Sequence, residues 1–345
     1  MKKMLALLLA LVMVLSLAAC ASSQPAAAST ETAETTETTE PAAEESAEAP
    51  AESGKTYTVG VCQLVQHEAL DAATQGFIDA LKEELGDAVT VDVQNASGDS
   101  VNCGTIVNGF VSKGVDLIMA NATPALTAAV SATADIPILG TSITAYGVAL
   151  DIDDFNGTVG GNVSGTSDLA DLQAQAQMIL DWFPETKTVG LLFCSAEPNS
   201  RYQIDEVRKA LEAQGVTCEE FAFTDSNDVS SVTQKAADFS DVVYIPTDNT
   251  AASNTEAIAN VLVPAGVPAI CGEEGICKGC GVATLSISYY DLGVTTGKMA
   301  AKILTGEADI SEMPIEFTEA TPKYNASMCE TLGIEPLEGY TAIEE

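Results

Sequence analysis

The chain has a single histidine, His67, and it opens the run His67-Glu68-Ala69-Leu70-Asp71. A helical HExxH would place two imidazoles on one zinc ion with the glutamate as base. Here Asp71 occupies the second histidine position and no other histidine can replace it, so that chemistry is excluded. Cys277 and Cys280 form a CxxC beside Cys271, but a zinc site would want a fourth ligand. They are expected as reduced loop thiols, with a local disulfide as the alternative and no metal. Neither a GxSxG elbow nor a GxxxxGK[ST] loop occurs, and a serine–histidine–aspartate arrangement would rest on His67 alone. No enzyme and no cofactor is expected. What remains is a set of short polar side chains suited to holding a small solute: Gln63, His67, Thr123 beside Pro124, Thr141, Asn199, Ser200, Thr247, Asp248, Asn249 and Glu273. Asp248 and Asp168 carry the charges that could face a ligand ammonium, although a helix cap is an equal use for Asp248. Thr123 and Pro124 read as N-cap and first residue of a helix, whose free N–H groups suit an anion. Plain capping explains Thr123 equally well.

The surrounding pattern is an apolar strand, a polar loop and an amphipathic helix, repeated. Thr58 to Leu64 reads as a strand, followed by a helix over Glu68 to Leu85 with Leu70, Ala73, Phe77, Leu81 and Leu85 on one face. Thr90 to Val93, Asp116 to Ala120 and Pro137 to Gly140 continue the strands. A glycine-rich stretch over Gly160 to Gly165 reads as a crossing to a second lobe. The pattern then restarts, with strands at Thr188 to Phe193, Thr217 to Phe223, Asp241 to Ile245, Val267 to Cys271 and Ala283 to Ile287. Asn199 and Ser200 read as caps of a helix running to about Gln214. Strands alternating with helices imply parallel sheets covered on both faces. In such sheets ligands bind beyond the carboxyl ends of the strands, and every polar residue named above follows a strand or borders the crossing.

The N-terminus has its own logic. Lys2 and Lys3 precede an apolar run from Met4 to Leu17, which is too short for a comfortable span of about 20 apolar residues. That is the pattern of a secretory signal peptide, and Leu17-Ala18-Ala19-Cys20 resembles a bacterial lipobox. The resemblance implies cleavage before Cys20 and acylation of its thiol. Ala21 to Gly54 has no lysine, arginine or aromatic residue and reads as a disordered acidic linker reaching roughly 30–35 Å. The rest, from Lys55, exceeds what one core comfortably fills, so two lobes are expected. With 50 acidic and 14 basic residues, nucleic acid and anionic membrane surfaces are poor partners.

Several segments together resemble a known family. They are residues 67–77, Ala122 to Ala125, Gly160 to Asp168, Pro246 to Asn249 and Tyr290 to Ala301. They look like the ABC-transporter substrate-binding lipoproteins of the tryptophan/tyrosine type, over about residues 57 to 335. The resemblance implies a type I periplasmic-binding fold of two α/β lobes, with a cleft that closes on ligand. It assigns 1–19 to the signal peptide and 20–54 to the lipidated cysteine and linker. It gives 55–164 with about 289–314 to lobe 1, and 165–288 with about 315–345 to lobe 2. It implies capture of a small zwitterion, an aromatic amino acid, and delivery to an ABC permease with a cytoplasmic ATPase. A monomer tethered to the outer face of the cytoplasmic membrane is expected. The loops that should cradle an aromatic ring are, however, poor in aromatic residues. The same fold could instead bind a sugar, a nucleoside or another amino acid, or serve a membrane sensor.

Overall fold

The computed structural model describes residues 55–344. The signal segment, Cys20 and the linker lie outside the described residues. Strands β1 (Tyr57–Gln63), β2 (Val89–Asn95), β3 (Leu117–Asn121), β4 (Ile138–Ile143) and β5 (Val163–Ser167) build one sheet. Strands β6 (Thr188–Cys194), β7 (Thr217–Phe223), β8 (Val242–Ile245), β9 (Ala269–Cys271) and β10 (Ala283–Ser286) build the other. Three short strands complete them: β11 (Glu316–Phe317) joins the first, and β12 (Thr321–Tyr324) and β13 (Thr341–Ala342) join the second. The orders are β11-β5-β4-β3-β1-β2 and β13-β12-β10-β9-β8-β6-β7. All pairs are parallel except β10 with β12.

Helices cover both faces of the first sheet. Helix 100–113, capped by Asp99, and helix 123–132 bring Phe110 and Leu126 against one face. Helix 68–85 brings Phe77 and Leu81 to the other, where they meet Met299 and Leu304 of helix 289–305. Each of the four at no exposure, Phe77, Leu81, Phe110 and Leu126, contributes about 1.5–3 kcal/mol of transfer free energy. Helix 289–305 follows the last long strand of the second sheet yet packs on the first. The chain therefore passes between lobes three times: after β5, before helix 289–305, and between β11 and β12. Helices 68–85 and 289–305 lie so close that a Cβ on Gly293 would fall 2.0 Å from the Ala73 carbonyl oxygen.

Four local expectations need correction. The stretch read as a crossing at Gly160 to Gly165 is a turn leading into β5, and the crossing follows it. The expected boundary at 164 thus falls inside a strand of the first sheet, and β11 carries that sheet past 314 as well. The strand is disguised because Val163-Ser-Gly-Thr-Ser167 is mostly polar, yet all five residues are buried. Its hydroxyls are satisfied inside: Ser164 donates to the Met313 carbonyl at 3.0 Å, and Thr166 pairs with Thr296 at 2.9 Å. Second, Ala122, with φ of 90°, caps helix 123–132, so Thr123 is its first residue and Pro124 its second. Third, Pro198 opens the helix ending at Glu212, so Glu197 occupies the cap and Asn199 and Ser200 lie in the first turn. Fourth, Cys277 and Cys280 sit buried in helix 274–280 rather than in a loop, and all eight cysteines of the described residues are unpaired.

Gly165 ties the edge of the first sheet together. Its φ is 145°, and a Cβ there would fall 2.0 Å from the Gly140 carbonyl oxygen and 2.4 Å from the Tyr146 hydroxyl. Gly165→Ala is expected to destabilise the protein by about 3 kcal/mol, a large single-site effect, because the obstacle is partly backbone. Urea unfolding of the variant checks it.

Candidate ligand-binding site

The carboxyl ends of both sheets face one small enclosed cavity. Its first-lobe wall comes from His67, Ala69 and Leu70 after β1, Ser142 and Thr144 at the end of β4, and Asp168 after β5. Its second-lobe wall comes from Asn199, from Thr247, Asp248, Asn249 and Ala252 after β8, and from Glu273 after β9. Tyr289, the first residue of helix 289–305, completes it. The free space is about 10 Å³, enough for a single water.

Three polar atoms in that wall are buried without a partner: Asp168 Oδ1, Asn199 Oδ1 and Ser142 Oγ. Buried polar groups are normally paired, so three orphans on one cavity mark where another molecule's polar groups fit. Asp168 is held by its other oxygen, which accepts from the Tyr289 hydroxyl at 3.0 Å. Burial pushes its carboxyl up to about 6, against the pull of the Tyr289 bond and of the nearby Thr144 hydroxyl. Asn199 is fixed by its amide nitrogen, which donates to the Thr247 carbonyl at 3.1 Å. Ser142 sits at a break in the β4–β5 register with φ of 55°, a left-handed conformation that re-aims its hydroxyl.

Two other carboxylates of the cavity are already satisfied. Asp248 accepts from the Cys194 amide at 2.7 Å and, as cap of the short helix 249–252, from the Ala251 amide at 2.8 Å. Burial, and then the nearby Glu197 charge, push it up to about 8. Glu273 caps helix 274–280, accepting from the amides of Gly275 and Ile276, and burial pushes it up to about 7.

The lobes also touch directly. His67 Nε2 lies 3.2 Å from Asn249 Oδ1. Asn249 has no choice of orientation, because its amide nitrogen donates to Glu197 at 2.7 Å and its backbone N–H donates to the same carboxylate at 3.0 Å. His67 is therefore the donor through Nε2. Burial lowers its pKa. Outside this contact, Lys278 meets Glu68 at 3.4 Å across the same cleft.

Of the residues expected from the sequence, His67, Asp168, Asn199, Thr247, Asp248, Asn249 and Glu273 line the cavity, and the other five do not. Gln63 is spent internally, donating to Asp71 at 2.6 Å and accepting from Thr74 at 2.6 Å. Thr141 is buried against Thr166 and Thr296, each at 3.2 Å. Ser200 is fully buried behind Asn199. Thr123 is buried at the start of its helix, and Pro124 lines a different groove. Ser142, Thr144, Tyr289 and the Glu197 support were not anticipated. Pro198 could have betrayed Glu197, since a proline at the first helical position puts the preceding residue in the cap. Among the described residues, no cluster of His, Cys, Asp or Glu is arranged to hold a metal. Neither arginine reaches the cavity: Arg201 and Arg208 both engage Glu220.

Two parallel-sheet lobes meeting at a polar cavity define a two-lobed solute-binding protein of the periplasmic-binding fold. The chain belongs to the ABC transporter substrate-binding protein family, whose model matches residues 58–338. A tyrosine-binding protein of Clostridioides difficile (strain R20291) is 32% identical over 276 residues, covering 78% of this chain and 79% of that one. The structure of an ABC domain from Streptococcus pneumonia in complex with L-Trp superposes with a TM-score of 0.79 at 31% identity, covering 84% of this chain and 100% of that one. A ligand-free, open substrate-binding protein with adhesive properties from Clostridium difficile superposes with a TM-score of 0.64 at 32% identity, covering 84% of this chain and 99% of that one.

Proposed function

We propose that this protein captures an aromatic amino acid outside the cytoplasmic membrane by closing its two lobes, and hands it to an ABC permease. The observation that carries this reading is the convergence of Asp168 Oδ1, Asn199 Oδ1 and Ser142 Oγ, from both lobes, on one cavity. Two of the orphans are acceptors, and Asp168 brings the charge an ammonium needs. The ligand carboxylate goes to the start of helix 68–85. Ala69 and Leu70 of its first turn line the cavity, and no side chain caps that end. Ser142 supplies a hydroxyl beside it. The relatives named for tyrosine and solved with L-Trp favour an aromatic cargo over other zwitterions.

Closure is a population shift, in which ligand favours the closed state only by the contacts it gains there. The His67–Asn249 bond across the lobes supports reading the present arrangement as closed. So does the better superposition on the complex with L-Trp than on the open, ligand-free protein at nearly equal identity. In this reading Cys20 carries the lipid anchor, residues 21–54 form the spacer, and the monomer works at the membrane's outer face.

A thermal-shift screen of the purified protein against the twenty amino acids, common sugars and nucleosides tests the proposal. A ligand at about 100 times its dissociation constant adds about 2.7 kcal/mol of stability. Tryptophan, tyrosine or phenylalanine should give the largest shift. A shift with a sugar or nucleoside, and none with any amino acid, would sink the choice of cargo.

A further inference from the structure

We propose that Cys62 and Cys103 join in a disulfide that locks helix 100–113 onto strand β1 when the chain folds in an oxidising compartment. The proposal rests on the extracytoplasmic setting of the reading above and on nothing about its cargo.

These are the only two cysteines between residues 55 and 193. They stand 41 residues apart in sequence, and the fold brings them together in one cluster of the first lobe. The structure shows them as two thiols. Gly60 explains the close approach of the helix. Phe110 lies so low over β1 that a Cβ on Gly60 would fall 2.6 Å from its ring. Cys62 is two residues further along the strand, on the same face. Cys103 is two turns back along the helix from Phe110, on the same side. The Cys62 sulfur reaches within 4.0 Å of the Cys103 carbonyl oxygen, and the two thiols hydrogen-bond to each other. A sulfur–sulfur bond therefore asks for rotation of side chains already in contact, not for transport of the helix.

The pair is asymmetric, and that sets the order of events. The bond between the thiols pulls Cys103 down, against burial and the Asp99 charge, and pushes Cys62 up. Burial pushes Cys194, Cys218, Cys271 and Cys329 up. Cys103 is also the fourth residue of its helix, near the positive end of the dipole. Both thiols are buried, but Ser100, Val101 and Asn102 before Cys103 are exposed, Val101 by 73%. Fraying of that one turn uncovers Cys103. Its thiolate then attacks the oxidant, a small-molecule or protein disulfide. The oxidant's sulfur–sulfur bond breaks as its bond to Cys103 forms, and one of its sulfurs leaves to take up a proton. As the turn re-forms, the Cys62 thiol gives its proton to water and attacks the Cys103 sulfur, expelling the oxidant's second sulfur. The two cysteines lose two electrons and two protons, and the oxidant gains them as two thiols. The cross-link reinforces the end of β1, from which the chain runs on to His67.

Refolding of the reduced full-chain protein from urea in mixed oxidised and reduced glutathione, then alkylation without reductant and tryptic digestion, tests the proposal. Cleavage after Lys55, Lys82 and Lys113 leaves Cys62 as the one cysteine of peptide 56–82 and Cys103 as the one cysteine of 83–113. The two peptides should travel as one linked species that dithiothreitol separates. The oxidised protein should melt about 5–10 °C above the same protein kept in dithiothreitol, the usual gain from closing a loop of that length. Cys103→Ala should abolish both the linked species and that difference between its own oxidised and reduced forms. Recovery of both peptides unlinked and alkylated would overturn the proposal. So would either peptide linked to any other cysteine, such as those of the second lobe, where the Cys271 thiol faces Cys277 and Cys280. A linked protein that melts no higher would overturn the lock. None of these outcomes touches ligand capture, which the thermal-shift screen tests separately.

Discussion

Asparagine in place of Asp168 is expected to weaken amino-acid binding about 10²–10³-fold without harming the fold. The substitution keeps the side chain's shape and leaves an oxygen to accept from Tyr289, whose hydroxyl lies 3.0 Å from one carboxylate oxygen. It removes the charge from the other oxygen, which is buried and has no partner within the protein. An uncompensated ammonium in that site would cost about 3–5 kcal/mol, as breaking any buried ion pair does. The ligand-free protein responds in the opposite direction. Burial already holds the Asp168 carboxyl up to about 6, so its ionised form is a burden at neutral pH. Calorimetry should therefore show lost affinity while the melting temperature holds or rises. Affinity within a few-fold of the parent would move the ammonium elsewhere.

Asp248 is the natural comparison, since the sequence offered the two acids on equal terms. Both of its oxygens already accept backbone N–H groups, from Cys194 and Ala251. An amide there would turn an NH₂ toward one of those donors and leave a buried N–H unpaired, at about 1–3 kcal/mol. That cost offsets much of the relief of removing a carboxyl that burial holds up to about 8, so Asp248→Asn should gain no more stability at neutral pH than Asp168→Asn does. The two acids differ in what surrounds them, and that difference arises from strands far apart in the chain.

The same distinction explains how far the sequence could be read. The apolar runs of β1, β3 and β6 and the face of helix 68–85 announce themselves, because burial on parallel sheets demands them. Strand β5 does not, since its hydroxyls are satisfied by β4, helix 289–305 and the chain beyond it, and no local pattern records partners so distant. Topology correctly placed polar residues at the carboxyl ends of strands, but it could not say which way each one points. Thr141 and Ser142 are neighbours: the first turns inward to Thr166 and Thr296, and a break in register turns the second to the cavity. Aromatic residues are as scarce at the polar cavity as the sequence suggested, and the one phenol there, Tyr289, comes from a helix that follows the second sheet and packs on the first.

Acidification from pH 8 to pH 5 is expected to stabilise the ligand-free protein and to weaken its hold on ligand. Burial raises Asp168 to about 6, Glu273 to about 7 and Asp248 to about 8. The folded protein keeps these protons at pH values where the unfolded chain has released them. Their contribution is therefore fully present below the ordinary carboxylate range and is lost as pH rises through 6, 7 and 8. For Asp168 alone, a rise from 3.8 to about 6 corresponds to about 3 kcal/mol. His67 works in the opposite sense, because burial lowers its pKa and its contribution fades as pH falls through 6.5. One such group against three carboxylates leaves acid stabilising, on the order of 5 °C in melting temperature. Binding reverses the sign, since an ammonium beside Asp168 requires the ionised carboxylate. Affinity should fall by up to about tenfold per pH unit below 6, with protons released on binding. Calorimetry in buffers of different ionisation enthalpy reads both quantities. The slope should vanish in Asp168→Asn. A flat affinity between pH 5 and pH 8 in the parent protein would show that no titrating carboxylate receives the ammonium.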